Sequence, residues 1–269
     1  MSGTVALAVL GDPLAYTLSP LLHRAGCASL GVVATSEALR TAAPDLGARL
    51  RDLAARGYRG VNLTAPLKEP ALEHLDRVSE ASRLARSVNT VGFEADGWWG
   101  DTTDGPGLVD LLSSLGRSPG SERAVLLGAG GAARSLALAL LAAGAEVSAC
   151  ARDPGRAAAT WAGIPRARLI AWGSDERDRA VAASSLVIQA TPLDGEEAFP
   201  LDRIPAHALI LDLTYGPEPT EWVRAARRSG RQAYDGLGLL VFQGRLSLAL
   251  WFARPVAVDP LASAVGWPR

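Results

Sequence analysis

The chain has 269 residues, which fits one large domain or two of ordinary size, and we favour two. Its 48% hydrophobic and 20% charged residues indicate a packed globular protein, and a formal net charge of −1 without a Lys/Arg-rich block argues against nucleic acid and membrane surfaces as partners. Two distant cysteines, Cys27 and Cys150, support neither a disulfide framework nor a thiolate metal site, which fits a reducing cytoplasm. The expected partner is a small molecule.

From residue 5 to about residue 104, short β-rich runs alternate with helical ones. The apolar run at residues 5–10 is too short to span a membrane, lacks a basic leader and ends at a Gly-Asp-Pro turn, so we predict a buried strand. Further strands are predicted at residues 33–39 and 60–64, with helices near residues 20–30 and 46–56. This βαβαβ order predicts parallel strands. The stretch SVNTVGFEADGWWGD then predicts a hairpin that turns at Asp96-Gly97.

A second unit begins with AVLLGAGGAARSLALALLAAGAEVSAC, which predicts a strand, a Gly-rich turn, a helix ending at Gly144 and another strand. Strands are also predicted in SSLVIQAT and ALILDLTY, whose following loops should face a cofactor, and after Gly236 a helix is predicted to cross back to the first unit. We therefore predict an α/β protein with a cleft between two domains. Residues 1–104 with 237–269 form an N-terminal βαβ substrate-binding and catalytic domain, and residues 105–236 form a Rossmann-type, doubly wound parallel-sheet dinucleotide-binding domain.

The small residues of GAGGAA, residues 128–133, permit a tight turn and bring helix N-terminal amides against a pyrophosphate. A Gly-rich turn that binds nothing is the alternative. After the next strand, Arg152 and Arg156 favour the 2'-phosphate of NADP, whereas Asp153 would repel it and leaves NAD possible; both arginines could also be only a solvated helix start. The predicted cofactor-binding residues are Gly128, Ala129, Gly130, Gly131, Ala132, Arg152, Asp153, Arg156, Thr191, Leu213 and Gly236.

Uncharged hydroxyl and amide side chains cluster on the loops of the first unit. They suit a polyhydroxylated ring, and Lys68 and Asp104 add a cation and a carboxylate. Oxidation of a secondary alcohol needs a group that accepts the hydroxyl proton, and a lysine or carboxylate in a dry cleft can do so. Taken singly, each residue is also an ordinary turn, cap or surface residue. The hydroxyl and amide residues are Thr17, Ser19, Asn62, Thr64, Asn89 and Thr90.

The chain resembles one family over nearly its whole length, the shikimate dehydrogenases. The stretches that follow the order and spacing of that family are GDPLAYTLSPLLH, GVNLTAPLKEPALEHLD, SVNTV, GDTTDGPG, LLGAGGAARSLALAL, QATPL, LDLTYGPEPT and DGLGLLVFQG. The resemblance implies NADPH-dependent, reversible reduction of 3-dehydroshikimate to shikimate in aromatic amino acid biosynthesis. It also implies that Lys68 is the general acid/base and Asp104 its orienting partner, and that the substrate contacts Thr17 and Ser19 through its carboxylate and Thr64, Asn89, Asp104 and Gln243 through ring hydroxyls, with Tyr215 nearby.

Several positions depart from the family pattern. Tyr16-Thr17 stands where the family usually has His-Ser, and Ala151 and Asp153 replace Asn and Thr around Arg152. These changes leave two alternatives open. One is an enzyme that prefers quinate or another cyclic acid, or NAD; the other is a catalytically silent, cofactor-binding regulatory homologue. The remaining departures are Thr103 for Asn, Gln189 for Asn, Leu239 for Met and Phe242 for His.

No metal site is predicted, because His23, His74 and His207 show no ligand spacing, and His23 is expected to be structural. The G-x-S-x-G elbow of α/β-hydrolases is absent. We expect Trp98 and Trp99 to pack in a core or between domains, and the alternative is that they form a dimer face. The chain is therefore expected to be a monomer or a homodimer.

Overall fold

The computed structural model describes residues 3–14, 16–193 and 195–269. Within those ranges the first sheet has six strands in the order β2-β1-β3-β5-β6-β4. The strands are β1 (Val5–Gly11), β2 (Ala34–Arg40), β3 (Tyr58–Leu63), β4 (Arg77–Val78), β5 (Thr90–Glu94) and β6 (Gly97–Asp101). β1 runs parallel to β2 and β3, as predicted, but β5 runs antiparallel to β3 and β6, so the sheet is mixed.

The helices of this first half are α1 (Ser19–Ser29), α2 (Leu46–Ala55) and α3 (Glu80–Ala85). α1 begins with Pro20 in its first turn, where a missing N–H costs nothing. α3 is capped by the Ser79 hydroxyl and ends at Arg86, which has a left-handed backbone with φ of 47°. The two faces of the first sheet are covered separately, because Leu7 packs into one core and its neighbours Ala8 and Leu10 into another.

The predicted hairpin is present, but its turn is one residue earlier than expected. Glu94 pairs with Gly97, so the connecting residues are Ala95 and Asp96, and Gly97 already begins β6. Gly97 has a φ of 131°, and this conformation, which other residues rarely adopt, lets the strand start directly after the turn.

The second sheet is parallel throughout and has the order β12-β11-β10-β7-β8-β9 in the described part of the chain. Its strands are β7 (Arg123–Leu127), β8 (Glu146–Ala151), β9 (Arg168–Ala171), β10 (Leu186–Gln189), β11 (Leu209–Asp212) and β12 (Ala233–Tyr234). Ala124 and Leu126 of β7 face one core, and Val125 and Leu127 face the other. Both faces are buried, and the strand order reverses at β7 and β10, which confirms the doubly wound α/β fold.

Helices cover this sheet and return the chain to the first half. They are α4 (Asp104–Ser114), α5 (Gly131–Ala143), α6 (Pro154–Trp161), α7 (Asp175–Ala182), α8 (Gly195–Ala198), α9 (Glu221–Arg228), α10 (Leu237–Phe252) and α11 (Val258–Val265). α5 ends at Gly144, as predicted, in a left-handed conformation with φ of 106°. Among the residues described, no helix is long and apolar enough to cross a bilayer.

Helix α10 confirms the predicted return to the first unit. Its Trp251 is 1% exposed and donates from Nε1 to the carbonyl of Val91 in β5, at 2.9 Å. Trp98 and Trp99 are half-buried and pack against the two different cores of the first sheet. All three tryptophans are therefore packing residues, as expected for Trp98 and Trp99.

Candidate active site

A cleft of about 430 Å³ lies between the carboxyl ends of β1 and β3, the first turn of α5 and the loop after β11. Polar side chains from both halves of the chain reach it, which is the location expected for ligands of open α/β sheets. Its lining includes eight residues singled out as substrate-binding: Thr17, Ser19, Thr64, Lys68, Asn89, Asp104, Tyr215 and Gln243. It also includes four of the predicted cofactor residues: Gly131, Ala132, Leu213 and Gly236.

Lys68 and Asp104 contact each other in this cleft. Lys68 follows β3 in a tight turn, and Asp104 is the first residue of α4. Lys68 Nζ donates to Asp104 Oδ2 at 2.5 Å, and the two side chains are only 16% and 7% exposed. A cation and a carboxylate withdrawn from water hold each other strongly, because the surrounding dielectric is low. The arrangement can hold and transfer a proton at the cleft floor.

Asn89 links this pair to its surroundings. Its Nδ2 donates to Asp104 Oδ1 at 2.9 Å and lies 3.0 Å from Gln243 Oε1. Its Oδ1 accepts from the backbone N–H of Thr103 at 2.7 Å. Because both ends of the amide are occupied, the Asp104 carboxylate is held in one orientation.

Beneath Asn89 lies a buried polar layer. Asn62 donates to Ser247 Oγ at 2.9 Å, and its Oδ1 lies 2.8 Å from His23 Nε2. The other ring nitrogen of His23 lies 2.8 Å from Ser36 Oγ. Burial lowers the pKa of His23 to about 4, more than its hydrogen bond with Asn62 raises it, so the imidazole is neutral. His23 is structural, as expected, and Asn62 belongs to this supporting layer although it also lines the cleft.

The outer end of the cleft carries hydroxyl groups. Thr17 Oγ1 donates to Ser19 Oγ at 3.2 Å, and the Tyr215 hydroxyl lies 3.5 Å from Thr17 Oγ1. Burial raises the pKa of Tyr215, so its phenol keeps its proton and can donate a hydrogen bond. Tyr16 stands edge-on to Tyr215, with 6.0 Å between the ring centroids, and is 44% exposed at the mouth.

The Gly-rich turn has the geometry of an anion cradle. Gly128 has a φ of 128°, and a Cβ there would lie 2.9 Å from the carbonyl oxygen of Ala190. A Cβ at Gly130 would meet nothing within 4 Å, so the space above the turn is open. No side chain caps α5, which leaves its first-turn amides available to a ligand. The Ala129 carbonyl accepts from Trp161 Nε1 at 3.0 Å, which fixes the turn to α6.

The predicted cofactor residues outside the Gly-rich turn follow the carboxyl ends of β8, β10, β11 and β12. Arg152, Asp153 and Arg156 are exposed after β8, and Asp153 caps α6 by accepting from the Arg156 N–H at 2.9 Å. The Gln189 side chain organises the loop after β10, because its Oε1 accepts from both the N–H and the hydroxyl of Thr191, each at 3.0 Å. The two exposed arginines after β8 fit the 2'-phosphate of a nicotinamide dinucleotide phosphate.

Composition alone singles out Lys68. Two polar residues of α5, Arg134 and Ser135, were not predicted to have a role. The chain has 27 Lys and Arg residues, of which 26 are Arg, so Lys68 is its sole lysine. Within α5, GAARSLALALLAA, the residues other than Arg134 and Ser135 are Gly, Ala or Leu. Polar residues at the start of an otherwise apolar buried helix signal specific partners.

Comparison with known proteins identifies relatives over nearly the whole chain. Residues 9–91 match the model of the shikimate dehydrogenase substrate binding domain. A shikimate dehydrogenase (NADP+) of Acidiphilium cryptum is 38% identical, with 98% of this chain and 97% of the relative covered. The crystal structure of shikimate 5-dehydrogenase from Thermus thermophilus, in complex with NADP(H) and shikimate, has a TM-score of 0.85 at 36% identity, covering 98% of this chain and 99% of the other.

The same architecture also occurs with a different named activity. The ligand-free 5-ketofructose reductase of Gluconobacter sp. strain CHM43 has a TM-score of 0.82 at 27% identity, with 98% of each chain covered. The fold by itself therefore does not define the substrate, which depends on the residues that line the cleft.

The parallel sheet with its Gly-rich turn, and the lysine–carboxylate pair in the adjoining cleft, define the class of the protein. It is an oxidoreductase built on a Rossmann-type domain. Within that class, and on identity over nearly full length, the chain belongs to the shikimate dehydrogenase family.

Proposed function

We propose that this chain is an NADP-dependent shikimate dehydrogenase, which reversibly reduces 3-dehydroshikimate to shikimate in aromatic amino acid biosynthesis. The observation that carries the proposal is the 2.5 Å contact between Lys68 and Asp104, in a cleft that the first turn of α5 also lines. The named relatives support the same reaction. Two free, buried cysteines fit the reducing cytoplasm as its compartment.

In the reductive direction, the Lys68 ammonium donates a proton to the carbonyl oxygen of the substrate. In the oxidative direction, the neutral amine takes the proton back from the hydroxyl group. Asp104 accepts hydrogen bonds from Lys68 and from the reacting hydroxyl, so it orients both.

The remaining cleft residues bind the substrate. The Thr17 and Ser19 hydroxyls donate to its carboxylate, with the Tyr215 phenol beside them. Thr64, Asn89 and Gln243 hydrogen-bond the ring hydroxyls, and Asn89 does so while it holds Asp104. A ring with several hydroxyls can form hydrogen bonds with these polar groups, whereas an apolar ring offers them no partner.

The turn at residues 128–132 holds the dinucleotide by its pyrophosphate, and Arg152 and Arg156 hold the 2'-phosphate. When bound, the nicotinamide supplies or accepts the hydride. Leu213 and Gly236 line the side of the cleft nearest the second sheet, and Thr191 supports the loop beyond it. We assign residues 1–104 with 237–269 to the substrate domain and residues 105–236 to the dinucleotide domain.

Nicotinamide absorbance, followed on mixing the pure protein with shikimate or quinate and either NADP or NAD, tests the proposal. Fast reduction with shikimate and NADP is the expected result. Activity with quinate or NAD alone would instead favour an enzyme of altered preference, for which the exposed Asp153 and the Thr17 methyl group are the reasons. Tight NADPH binding without turnover of either acid would contradict the proposal and favour the silent homologue.

A further inference from the structure

Two adjacent residues of α5, Arg134 and Ser135, reach out of the second half of the chain into the first. Both are buried, with 3% and 2% of their surfaces exposed. Burying a guanidinium and a hydroxyl is unfavourable unless each finds hydrogen-bond partners. Their partners include Glu69 and Gly105, which directly follow Lys68 and Asp104 in the chain.

Arg134 contacts the segment around Lys68. Its Nη2 donates to Glu69 Oε2 at 2.6 Å, and Glu69 is the next residue after Lys68. The same guanidinium donates from Nε to the Ala85 carbonyl at 2.6 Å and from Nη2 to the Arg86 carbonyl at 2.9 Å. These carbonyls end α3, where the helix dipole favours a cation. Arg134 therefore joins the Lys68 turn and the end of α3 to one helix.

Glu69 and the segment between α3 and β5 complete this side of the contact. Glu69 Oε1 accepts from Arg86 Nε at 2.9 Å, so the carboxylate bridges two arginines. The backbone N–H of Val88 donates to the Lys68 carbonyl at 2.8 Å. The main chain of Lys68 is thus tied to the same segment that Arg134 holds.

Ser135 contacts the segment around Asp104. Its Oγ accepts from the Gly105 N–H at 3.0 Å and lies 2.7 Å from Thr102 Oγ1. Gly105 directly follows Asp104, and a Cβ on Gly105 would lie 2.4 Å from the Ser135 carbonyl oxygen, so α4 and α5 are in close contact there. Ser135 therefore holds the start of the helix that presents the Asp104 carboxylate.

We propose that Arg134 and Ser135 are positioning residues, which set the place of Lys68 and Asp104 relative to the dinucleotide-binding turn. The Arg134 N–H also donates to the Gly130 carbonyl at 3.0 Å, so one residue links that turn to the neighbour of Lys68. This inference rests on the proposed function. Its physical basis is that hydride and proton transfer require both groups at a fixed distance, and displacements near 1 Å cost about a hundredfold in rate.

The kinetic test compares Arg134→Met, Arg134→Lys and Ser135→Ala with the wild-type protein. We expect kcat to fall about a hundredfold in R134M and about tenfold in S135A, with the substrate KM changed less than about threefold. R134K should recover part of the loss, because an ammonium can reach some of the three acceptors but lacks the planar fork.

The matched control is Arg117→Met. Arg117 donates to both oxygens of Glu122, at 2.8 and 2.9 Å, and this partly buried pair lies at the amino-terminal edge of β7, away from the cleft. R117M should lower thermal stability and leave kcat unchanged below its unfolding transition. If R134M and S135A keep kcat within about twofold of wild type, or fall no further than R117M does, the inference is overturned.

The sole lysine allows a second readout that needs no turnover. Incorporating ¹³C-labelled lysine gives a single Cε resonance, from Lys68, whose chemical shift reports on its contact with Asp104. The chemical shift should change in R134M and S135A, and amide exchange at Val88 and Gly105 should accelerate; R117M should match wild type in both. An unchanged chemical shift and unchanged amide exchange in R134M and S135A would overturn the inference. If the wild-type protein itself transfers no hydride, the proposed function fails, and these two measurements still decide whether Arg134 and Ser135 hold the pair.

Discussion

Asn89 and Asp104 are joined through the carboxylate oxygen that Lys68 does not use. Asn89 Nδ2 lies 2.9 Å from Asp104 Oδ1, while Lys68 Nζ lies 2.5 Å from Oδ2. The carboxylate should therefore keep its position when Lys68 is replaced, because Asn89, which accepts a hydrogen bond from the Thr103 backbone N–H, still donates to it. A loss of activity in a Lys68 variant can then be attributed to the missing proton donor and not to collapse of the site.

Replacing Lys68 with Met should lower kcat about a thousandfold while the protein still folds, since general acid–base groups contribute about 10² to 10⁴ in rate. Lys68→Arg keeps the positive charge, but a guanidinium does not release its proton near neutral pH, so it should be nearly as slow. Both are measured by nicotinamide absorbance with shikimate. Turnover near the wild-type level in K68R would contradict the proton-transfer role.

Substitution by alanine should have different effects at Gly128 and at Gly130 of the Gly-rich turn. Gly130→Ala should leave the melting temperature unchanged, because nothing of the protein lies within 4 Å of the new Cβ, yet weaken NADPH binding about tenfold or more by occupying the space above the turn. Gly128→Ala should also destabilise the fold by about 1–3 kcal/mol, because its φ of 128° and the Ala190 carbonyl oppose a side chain. Fluorescence titration and thermal unfolding separate the two effects. Wild-type NADPH affinity in G130A would argue against the cradle.

Cofactor preference should depend on Arg152 and Asp153. Arg152→Ala should lower the preference for NADP over NAD about ten- to a hundredfold by removing a charged phosphate contact. Asp153→Ser keeps a hydroxyl that can cap α6 and removes the negative charge, so it should raise kcat/KM for NADP. The ratio of kcat/KM for the two dinucleotides is the measurement, with Arg228→Ala, on the exposed end of α9, as control. An unchanged ratio in R152A would show that Arg152 is only a solvated residue.

His23 should make stability depend on pH. Its pKa is lowered from 6.5 to about 4, so below pH 6.5 the unfolded chain binds a proton that the folded chain does not. Unfolding free energy should therefore fall as pH drops, by about 2 kcal/mol between pH 7 and pH 5 from this group alone. Urea unfolding of His23→Asn should show a smaller fall, whereas His207→Asn, at an exposed position, should behave like wild type. An equal fall in H23N and wild type would contradict this assignment.

Much of the fold could be predicted because the relevant signals are local. The sequence signals for the strands, for the Gly-rich turn and for the end of α5 at Gly144 each fall within a few residues of the element that they predict. The short strand β4 and helix α11 were not predicted. β4 has two residues, too few for any periodicity, and it exists because its backbone pairs with β6. The hairpin turn was off by one residue because Asp-Gly is a turn signal whose exact register depends on pairing.

The site was harder to predict than the fold. Lys68 and Asp104 are 36 residues apart, and no local pattern indicates that they touch; family resemblance supplied that expectation. The contacts of Arg134 also escaped prediction, because its partners Glu69 and Ala85 lie 65 and 49 residues away on another layer. Polar contacts between layers depend on packing that only the folded chain defines.

Helix α10 contributes to the cores of both halves: Phe242 packs with the second sheet, while Val241 and Trp251 pack with the first. The two halves therefore cannot readily be exchanged for those of a related protein. A chimera joined at residue 236 would bring in an α10 shaped for one sheet and foreign to the other, and Phe242 and its partner Trp267 would meet an unmatched surface. Recombination between relatives of this chain should succeed only where the helix and both of its contact surfaces are exchanged together.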